Sequence, residues 1–192
     1  MTKLNETLFK IKSITRGEIL EERTSYLIIS NAYIYSCNKN LIYCKDDELI
    51  SIAHGMNEHV SIVVLERLKK IFNELKIEDI RNLVCELLSG KNNDSRSFVE
   101  SSNTYISELA NDLLEIDGPD NIVVDFGSGV GNFLASVYKK AHDNKLMLKD
   151  LIGIEINAEQ AHISQMALSI ITDGSINPRI IIGNALENVN FP

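Results

Sequence analysis

The stretch "VVDFGSGVGNFL", residues 123–134, decides how the second half of this chain folds. Its β-branched start is typical of a buried strand, and its glycines end that strand before an amphipathic segment begins. A strand that leads through a glycine loop into a helix is the first unit of a parallel α/β sheet. The acid Asp125 stands just before the glycines, so its charge bears on which ligand the loop accepts.

The helix of this first unit, a second strand–helix unit and a third strand follow. The segments "GNFLASVYKKAH" (131–142) and "NAEQAHISQMALSIITDG" (157–174) have helical patterns, the second starting at Asn157 with Gln160 as a partial capping box. The short apolar runs "DLIGIE" (150–155) and "PRIIIGNALE" (178–187) predict a second and a third strand. Strands that alternate with helices predict a parallel sheet whose ligands bind at the carboxyl ends of the strands.

The first half of the chain is mostly helical in pattern. The segment "SYLIISNAYIYS" (25–36) fits either a buried helix or a strand, and its helical neighbours favour a helix. Two amphipathic helices follow within residues 60–75 and 77–90. Their predicted packed faces are Val60, Val63, Val64, Leu68, Ile71, Phe72 and Leu75 in the first, and Ile80, Leu83, Val84, Leu87 and Leu88 in the second.

The polar, turn-forming segment "SGKNNDSRS" (89–97) reads as a linker. It divides the chain into a helical N-terminal domain, residues 1–90, and an α/β domain, residues 98–192. A further helix is predicted at the start of the second domain, capped by Ser102 or Asn103 and stopped at Gly118-Pro119. Its predicted packed face consists of Ile106, Leu109, Ala110, Leu113 and Leu114.

Composition narrows the class of protein. The chain has 192 residues and is 44% hydrophobic, and it contains no apolar stretch of the roughly 18 residues that a membrane helix needs. The start "MTKLNETLFK" lacks the apolar core of a signal peptide, and three cysteines without a C-x-x-C pair favour a reducing cytoplasm. The spacing of Cys37, Cys44, His54 and His59 fits no usual zinc pattern, so no metal site is expected.

Charge is distributed unevenly along the chain. Residues 1–95 carry 13 Lys and Arg against 14 Asp and Glu, whereas residues 96–192 carry 6 against 13. Non-specific affinity for nucleic acid comes mainly from Lys and Arg that contact phosphates. Any nucleic-acid partner is therefore expected to contact the first half, another subunit, or sequence outside this chain.

The glycine loop has the spacing G-x-G-x-G, formed by Gly127, Gly129 and Gly131. A diphosphate would be repelled by Asp125, whereas a ligand with positive charge and no phosphate suits the loop better. S-adenosylmethionine is such a ligand, with an ammonium, a sulfonium, a ribose and an adenine. We expect the glycines to admit its methionine part and Asp125 to orient the loop.

The other two strand ends suggest the remaining contacts. Glu155 is expected to accept hydrogen bonds from the two ribose hydroxyls, and Ile156 to offer an apolar face to the adenine. The side-chain carbonyl of Asn184 is expected to accept from the adenine amino group, while the Ala185 N–H meets a ring nitrogen.

Residues 121–187 resemble the first half of a class I S-adenosylmethionine-dependent methyltransferase. More narrowly, "DFGSGVGNFL" is similar to the D-P-x-x-G-x-G-x-F-L motif of N6-adenine DNA methyltransferases from restriction–modification systems, which adds Ser128 and Phe133 to the expected cofactor-binding residues. "GIEINAEQAHISQMAL" resembles the family's acidic strand end and following helix, and "IIIGNALE" resembles its G-D-A/S-L loop, with Asn184 in place of Asp. "RSFVESSNTYISELANDLL" loosely resembles the F-x-T-P segment without its proline.

The resemblance implies an incomplete enzyme. The family's catalytic (N/D)-P-P-(Y/F) motif is absent, because Pro119, Pro178 and Pro192 all stand apart. A helical N-terminal region is also what modification subunits of type I restriction enzymes carry. The chain is therefore expected to be an N-terminal portion that is inactive alone and that reaches DNA through regions or subunits not present here. Specificity and restriction subunits are expected partners, and the exposed edge of the first strand is expected to allow self-association.

Two alternatives stay open from the sequence. "DFGSGVGN" also resembles the glycine motif of the non-SET histone-lysine methyltransferases, so the methyl acceptor is a protein or a small molecule in one reading. In the other, the chain is a non-catalytic subunit that retains a degenerate methyltransferase fold.

Overall fold

The computed structural model describes residues 3–16, 21–43, 46–89, 110, 112–114, 116 and 118–187. In chain order the helices and strands of these residues are α1 (Lys3–Thr15), α2 (Glu21–Asn38), α3 (Asp47–Gly55), α4 (Ile62–Asn73), α5 (Ile77–Leu88), β1 (Ile122–Phe126), α6 (Asn132–Asp143), β2 (Asp150–Glu155), α7 (Ala158–Thr172) and β3 (Arg179–Ile182).

The three strands form one parallel sheet in the order β1-β2-β3. Asp125 lies opposite Gly153 in this register, and Glu155 lies opposite Ile182. Two successive right-handed crossovers in one direction place α6 and α7 on the same face of the sheet. The α/β class and all three predicted strands are therefore confirmed.

Helix α7 is buried along almost its whole length, from Ala161 to Thr172. A helix that is apolar on every side has to be covered on every side. The sheet covers one side of α7, and α2 and α5 pack against the other. The helical first half and the α/β second half consequently share one hydrophobic core, which contains residues of both.

Two ion pairs tie the halves together at opposite ends of α7. Arg23 of α2 pairs with Glu159 in the first turn of α7, and Arg81 of α5 pairs with Asp173 just after its last turn. The division of the chain into domains at residues 90 and 98 stays a prediction.

The predicted helices of the first half agree with the structure, with one difference in a packed face. Residues 25–36 are helical, within α2. In α4 the buried residues are Val64, Leu68 and Phe72, one turn apart, whereas Val63 is 54% exposed and was wrongly placed on the packed face. The reason is that the apolar stripe of α4 is wider than the surface it buries.

The helix predicted after the linker lies almost wholly outside the described residues. Ala110, Asp112 and Leu113 are helical, and Leu113, expected on the packed face, is 76% exposed. None of the helices in the described part of the chain is long and apolar enough to cross a membrane.

Candidate functional site

The glycine loop joins β1 to α6 through three glycines that all have positive φ, at 111° for Gly127, 51° for Gly129 and 88° for Gly131. Residues with a Cβ rarely adopt such angles, so the loop depends on glycine. The backbone N–H groups of Gly127 and Ser128 both donate to the Ile154 carbonyl, at 2.9 and 3.0 Å. The loop is thereby fixed over the carboxyl end of β2.

Glu155 connects this loop to α7. Its carboxyl group is buried, with Oε2 accepting from the Gly129 N–H at 2.8 Å and Oε1 accepting from the Asn157 N–H at 2.7 Å. A carboxylate oxygen has more than one acceptor position, so both oxygens keep capacity for ribose hydroxyls. Glu155 lies at the carboxyl end of the middle strand β2, where the sequence predicts it, and its contact with the ribose hydroxyls stays a prediction.

The capping of α7 differs from the prediction. Asn157 is the N-cap, because its Oδ1 accepts from the Gln160 N–H at 3.1 Å. Only this half of the predicted partial capping box is present, because the Asn157 N–H donates to Glu155 and not to the Gln160 side chain. The Gln160 side chain instead approaches the glycine loop, where its Oε1 lies 3.9 Å from an ideal Cβ built on Gly129.

Asp125 lies on the same face of the sheet as Glu155, because side chains alternate along a strand and Asp125 lies opposite Gly153. Partial burial raises the pKa of Asp125, and the negative charge of Glu155 raises it further. Neither carboxylate forms an ion pair within the described residues. Two carboxylates held together in this way repel a diphosphate and favour a cation.

The space in front of the loop suits a ligand. An ideal Cβ on Gly127 meets no atom within 4 Å, whereas one on Gly131 would lie 2.5 Å from the Ser164 Oγ. Gly131 is therefore required for packing on α7, and Gly127 faces open space. Beside it, Ile156 is 70% exposed and Ile182 is 49% exposed, which gives the strand ends apolar surface.

The sequence pattern does not single out Ile182. Only the register of the sheet shows that it lies opposite Glu155 on β3, and strand register cannot be read from the sequence pattern.

Asn184 and Ala185 lie in the loop after β3, which is tied to β2 by the Gly183 N–H donating to the Glu155 carbonyl at 3.0 Å. The Asn184 Oδ1 accepts from the Leu186 N–H at 3.0 Å, and its Nδ2 donates to Glu187 at 3.2 Å. The side-chain carbonyl expected to meet the adenine is thus engaged in its own turn, with one acceptor position left.

Ser128 and Phe133 are placed differently from the other expected residues. The Ser128 side chain packs on Gly153, where an added Cβ would lie 2.6 Å from its Oγ, and that Oγ has no hydrogen-bond partner among the described residues. Phe133 is partly buried against the core. Both side chains thus pack in the structure, Ser128 on β2 and Phe133 on the core, and their contact with a cofactor stays a prediction.

The described part of the chain also contains a cavity of about 330 Å³, whose lining includes Asn132 at the start of α6. It lies between α1, α5 and α6, and its lining includes Lys3, Asp79, Cys85 and Lys139. None of the expected cofactor-binding residues lines it, so we place the candidate site at the strand ends on the chemistry of the residues there. No cluster of three or more metal-binding side chains occurs within the described residues.

The three-stranded parallel sheet with its flanking helices, preceded by a helical region, is an α/β architecture of the Rossmann-like methyltransferase type. The chain is similar in structure to a protein from Listeria monocytogenes described as a "putative class I S-adenosylmethionine-dependent methyltransferase", with a TM-score of 0.63 and 12% sequence identity. The match covers 100% of this chain and 56% of that protein, so this chain spans little more than half of its length. No family model and no curated protein matches the sequence.

Proposed function

We propose that this chain binds S-adenosylmethionine at the carboxyl ends of β1, β2 and β3. The observation that carries the proposal is the pair of carboxylates, Asp125 and Glu155, beside a glycine loop with open space at Gly127. The cofactor supplies an electrophilic methyl group on a positively charged sulfur. The fold similarity supports the proposal, because the similar protein is described as a methyltransferase of this class.

In this proposal the residues of this chain bind the cofactor and orient it. The Gly127 and Gly129 backbone makes room for the methionine part, and Asp125 compensates positive charge. Glu155 accepts hydrogen bonds from the ribose hydroxyls while it continues to accept from the Gly129 and Asn157 N–H groups. Ile156 and Ile182 cover the adenine, and the Ala185 N–H meets its ring. To accept from the adenine amino group, Asn184 uses the acceptor position that Leu186 leaves.

Calorimetric titration of the chain tests this proposal. We expect S-adenosylmethionine to bind, and S-adenosylhomocysteine, which keeps the ammonium but lacks the positive charge on sulfur, to bind more weakly. ADP, which carries a diphosphate on adenosine, is expected to show no binding at equal concentration. Tighter binding of ADP than of S-adenosylmethionine contradicts the electrostatic argument.

We further propose that the methyl acceptor is an adenine amino group in DNA and that the protein serves a restriction–modification system in the cytoplasm. The support is the sequence resemblance in residues 125–134, 153–168 and 180–187. The net charge of −7 in the second half indicates that DNA is held by other regions or by specificity and restriction subunits. Mass spectrometry of DNA incubated with the chain and cofactor is expected to show no N6-methyladenine. The same assay on the whole gene product is expected to show it, and methylation of lysine instead favours a protein acceptor.

The edge of β1 is the proposed place of association with a further strand. Within the described residues β1 pairs with β2, and Ile122 at the start of β1 is 48% exposed. Such an edge templates pairing with another chain. Sedimentation is expected to show concentration-dependent dimers that Val124→Pro weakens. An unchanged dimer in that variant contradicts association through β1.

A further inference from the structure

The positive charge of this acidic chain is concentrated on two helices that pack against each other. Residues 3–16, which contain α1, and residues 62–73, which form α4, together carry seven Lys and Arg against two Glu, whereas the whole chain carries 19 Lys and Arg against 27 Asp and Glu. Helices α1 and α4 are in contact, so their outer sides belong to one surface of the helical layer. We call this surface the α1–α4 face, and its exposed basic side chains are Lys10, Lys12, Arg16, Arg67, Lys69 and Lys70.

The charges of this face are not neutralised by acidic neighbours. Arg67 and Lys70 lie one turn apart on α4, and neither of them, nor Arg16 after the end of α1, forms an ion pair within the described residues. Lys3, by contrast, pairs with Asp79 of α5 and is not counted in the face. Unpaired positive charge on one side of a chain whose net charge is −8 favours a polyanionic partner at that side.

The α1–α4 face reaches towards the candidate cofactor site. Residues 17–20 separate Arg16 from α2, and Arg23 of α2 pairs with Glu159 in the first turn of α7. The seven residues from Arg16 to Arg23 span at most about 25 Å. One turn of a DNA duplex is about 34 Å long. A duplex that is held at Arg16 can therefore extend to the start of α7, which borders the strand ends.

We propose that the α1–α4 face binds the phosphate backbone of double-stranded DNA and holds the duplex beside the cofactor site. The inference rests on the proposed function for the choice of DNA among polyanions. Contacts of Lys and Arg with phosphates supply affinity and orientation but carry no sequence information. The face thus gives an acidic chain a way to approach DNA, and recognition of the target sequence belongs to other regions or subunits.

Fluorescence anisotropy of a labelled duplex of about 20 base pairs, roughly two turns, tests the proposal over a series of salt concentrations. The unaltered chain is expected to bind duplexes of different sequence equally, with an affinity that falls steeply as salt rises. The double variant Arg67→Gln with Lys70→Gln removes two charges from the face. It is expected to reduce the slope of the logarithm of affinity against the logarithm of salt concentration by about 2, because each phosphate contact contributes about 0.9.

The matched control is the double variant Lys145→Gln with Lys149→Gln, which removes two charges from exposed positions between α6 and β2. Both double variants have the same net charge, so a general loss of attraction to DNA would change them equally. The control is expected to keep the salt slope of the unaltered chain. All four substituted side chains are exposed, so the unfolding temperatures of both variants are expected to stay unchanged, and thermal unfolding checks this.

The outcomes separate this inference from the proposed cofactor site. Absence of duplex binding at low salt, or an equal change of slope in the two double variants, overturns the role of the α1–α4 face and leaves the cofactor site standing. Stronger binding to phosphatidylglycerol vesicles than to the duplex, at equal phosphate concentration, also overturns it and favours a membrane surface. Failure of the unaltered chain to bind S-adenosylmethionine overturns the cofactor site, whereas a loss of slope confined to the Arg67 and Lys70 variant supports the face.

Discussion

The charge of Asp125 lowers the stability of the folded chain, and the same charge is proposed to bind the cofactor. Its charge is partly buried beside Glu155, and this raises its pKa. Asp125→Asn keeps the shape and removes the charge. We expect the variant to bind S-adenosylmethionine roughly tenfold more weakly, a loss of about 1.4 kcal/mol that one screened charge interaction can supply. Calorimetry measures the loss, and unchanged affinity contradicts the role of Asp125.

The same substitution has a predictable effect on stability against pH. A carboxyl group with a raised pKa binds its proton more tightly in the folded chain, so stability falls as pH rises from the ordinary value of 3.8 through the raised pKa. Asp125→Asn removes that fall. Thermal unfolding without cofactor is expected to show equal stability below this window and a more stable variant above it. A variant that is less stable at neutral pH contradicts this prediction.

Gly131 and Gly127 both have positive φ, but only at Gly131 would an added Cβ also collide with a neighbouring side chain. Gly131→Ala adds a close contact with the Ser164 Oγ to the backbone strain, so it is expected to destabilise the fold by about 1–3 kcal/mol beyond Gly127→Ala. Ser164→Ala is expected to recover that part, because its buried Oγ has no partner among the described residues. Chemical denaturation of the two single variants and the double variant measures this. Lack of recovery contradicts the contact.

Gly127→Ala is expected to destabilise the fold through the backbone strain at a φ of 111° and, in addition, to weaken binding. Its Cβ would enter open space that the proposed ligand fills. Cofactor titration and denaturation of this one variant separate the two effects.

At the scale of the element, the start of α7 organises the site. Asn157→Ala removes the cap and is expected to cost about 1 kcal/mol of stability. Because the capped turn carries Gln160 and adjoins Glu155, cofactor binding is expected to weaken as well. Ser61→Ala removes the cap of α4, far from the strand ends, and is expected to lower stability without changing affinity. Denaturation and titration of both variants measure this, and an equal effect on affinity contradicts the role of α7.

The helices and strands could be predicted from the sequence because each of these predictions rested on local spacing. The strands at 122–126, 150–155 and 179–182 and the helices at 132–143 and 158–172 follow from apolar periodicity and glycine position. The side-chain directions did not follow. The Ser128 side chain packs on Gly153, a contact that depends on how the loop after β1 meets β2, whereas the Asn157 N–H donates to Glu155 in a local turn between residues two apart. Register is a tertiary property that short-range patterns leave open.

The whole molecule is organised around α7, which the sequence predicts only as a helix. Its two buried sides belong to the sheet and to the helical layer, so removal of either exposes apolar surface. The Arg81–Asp173 and Arg23–Glu159 pairs lie on the surface and contribute little beside this burial. The contact between the two halves is thus hydrophobic in origin, which predicts that they unfold together.

A core substitution in the helical half tests this cooperativity. Leu68 of α4 is fully buried, and Leu68→Ala is expected to cost about 2–5 kcal/mol. If the chain unfolds as one unit, amides of β2 such as that of Ile154 lose protection against hydrogen exchange by the same free energy, although β2 and α4 are different layers. Phe9→Ala, at a position that is 67% exposed on α1, is the control expected to leave that protection unchanged. Retained protection of β2 in Leu68→Ala would show that the halves are separate folding units. In that case the influence of α2 on α7 would be confined to local contacts such as the Arg23–Glu159 pair.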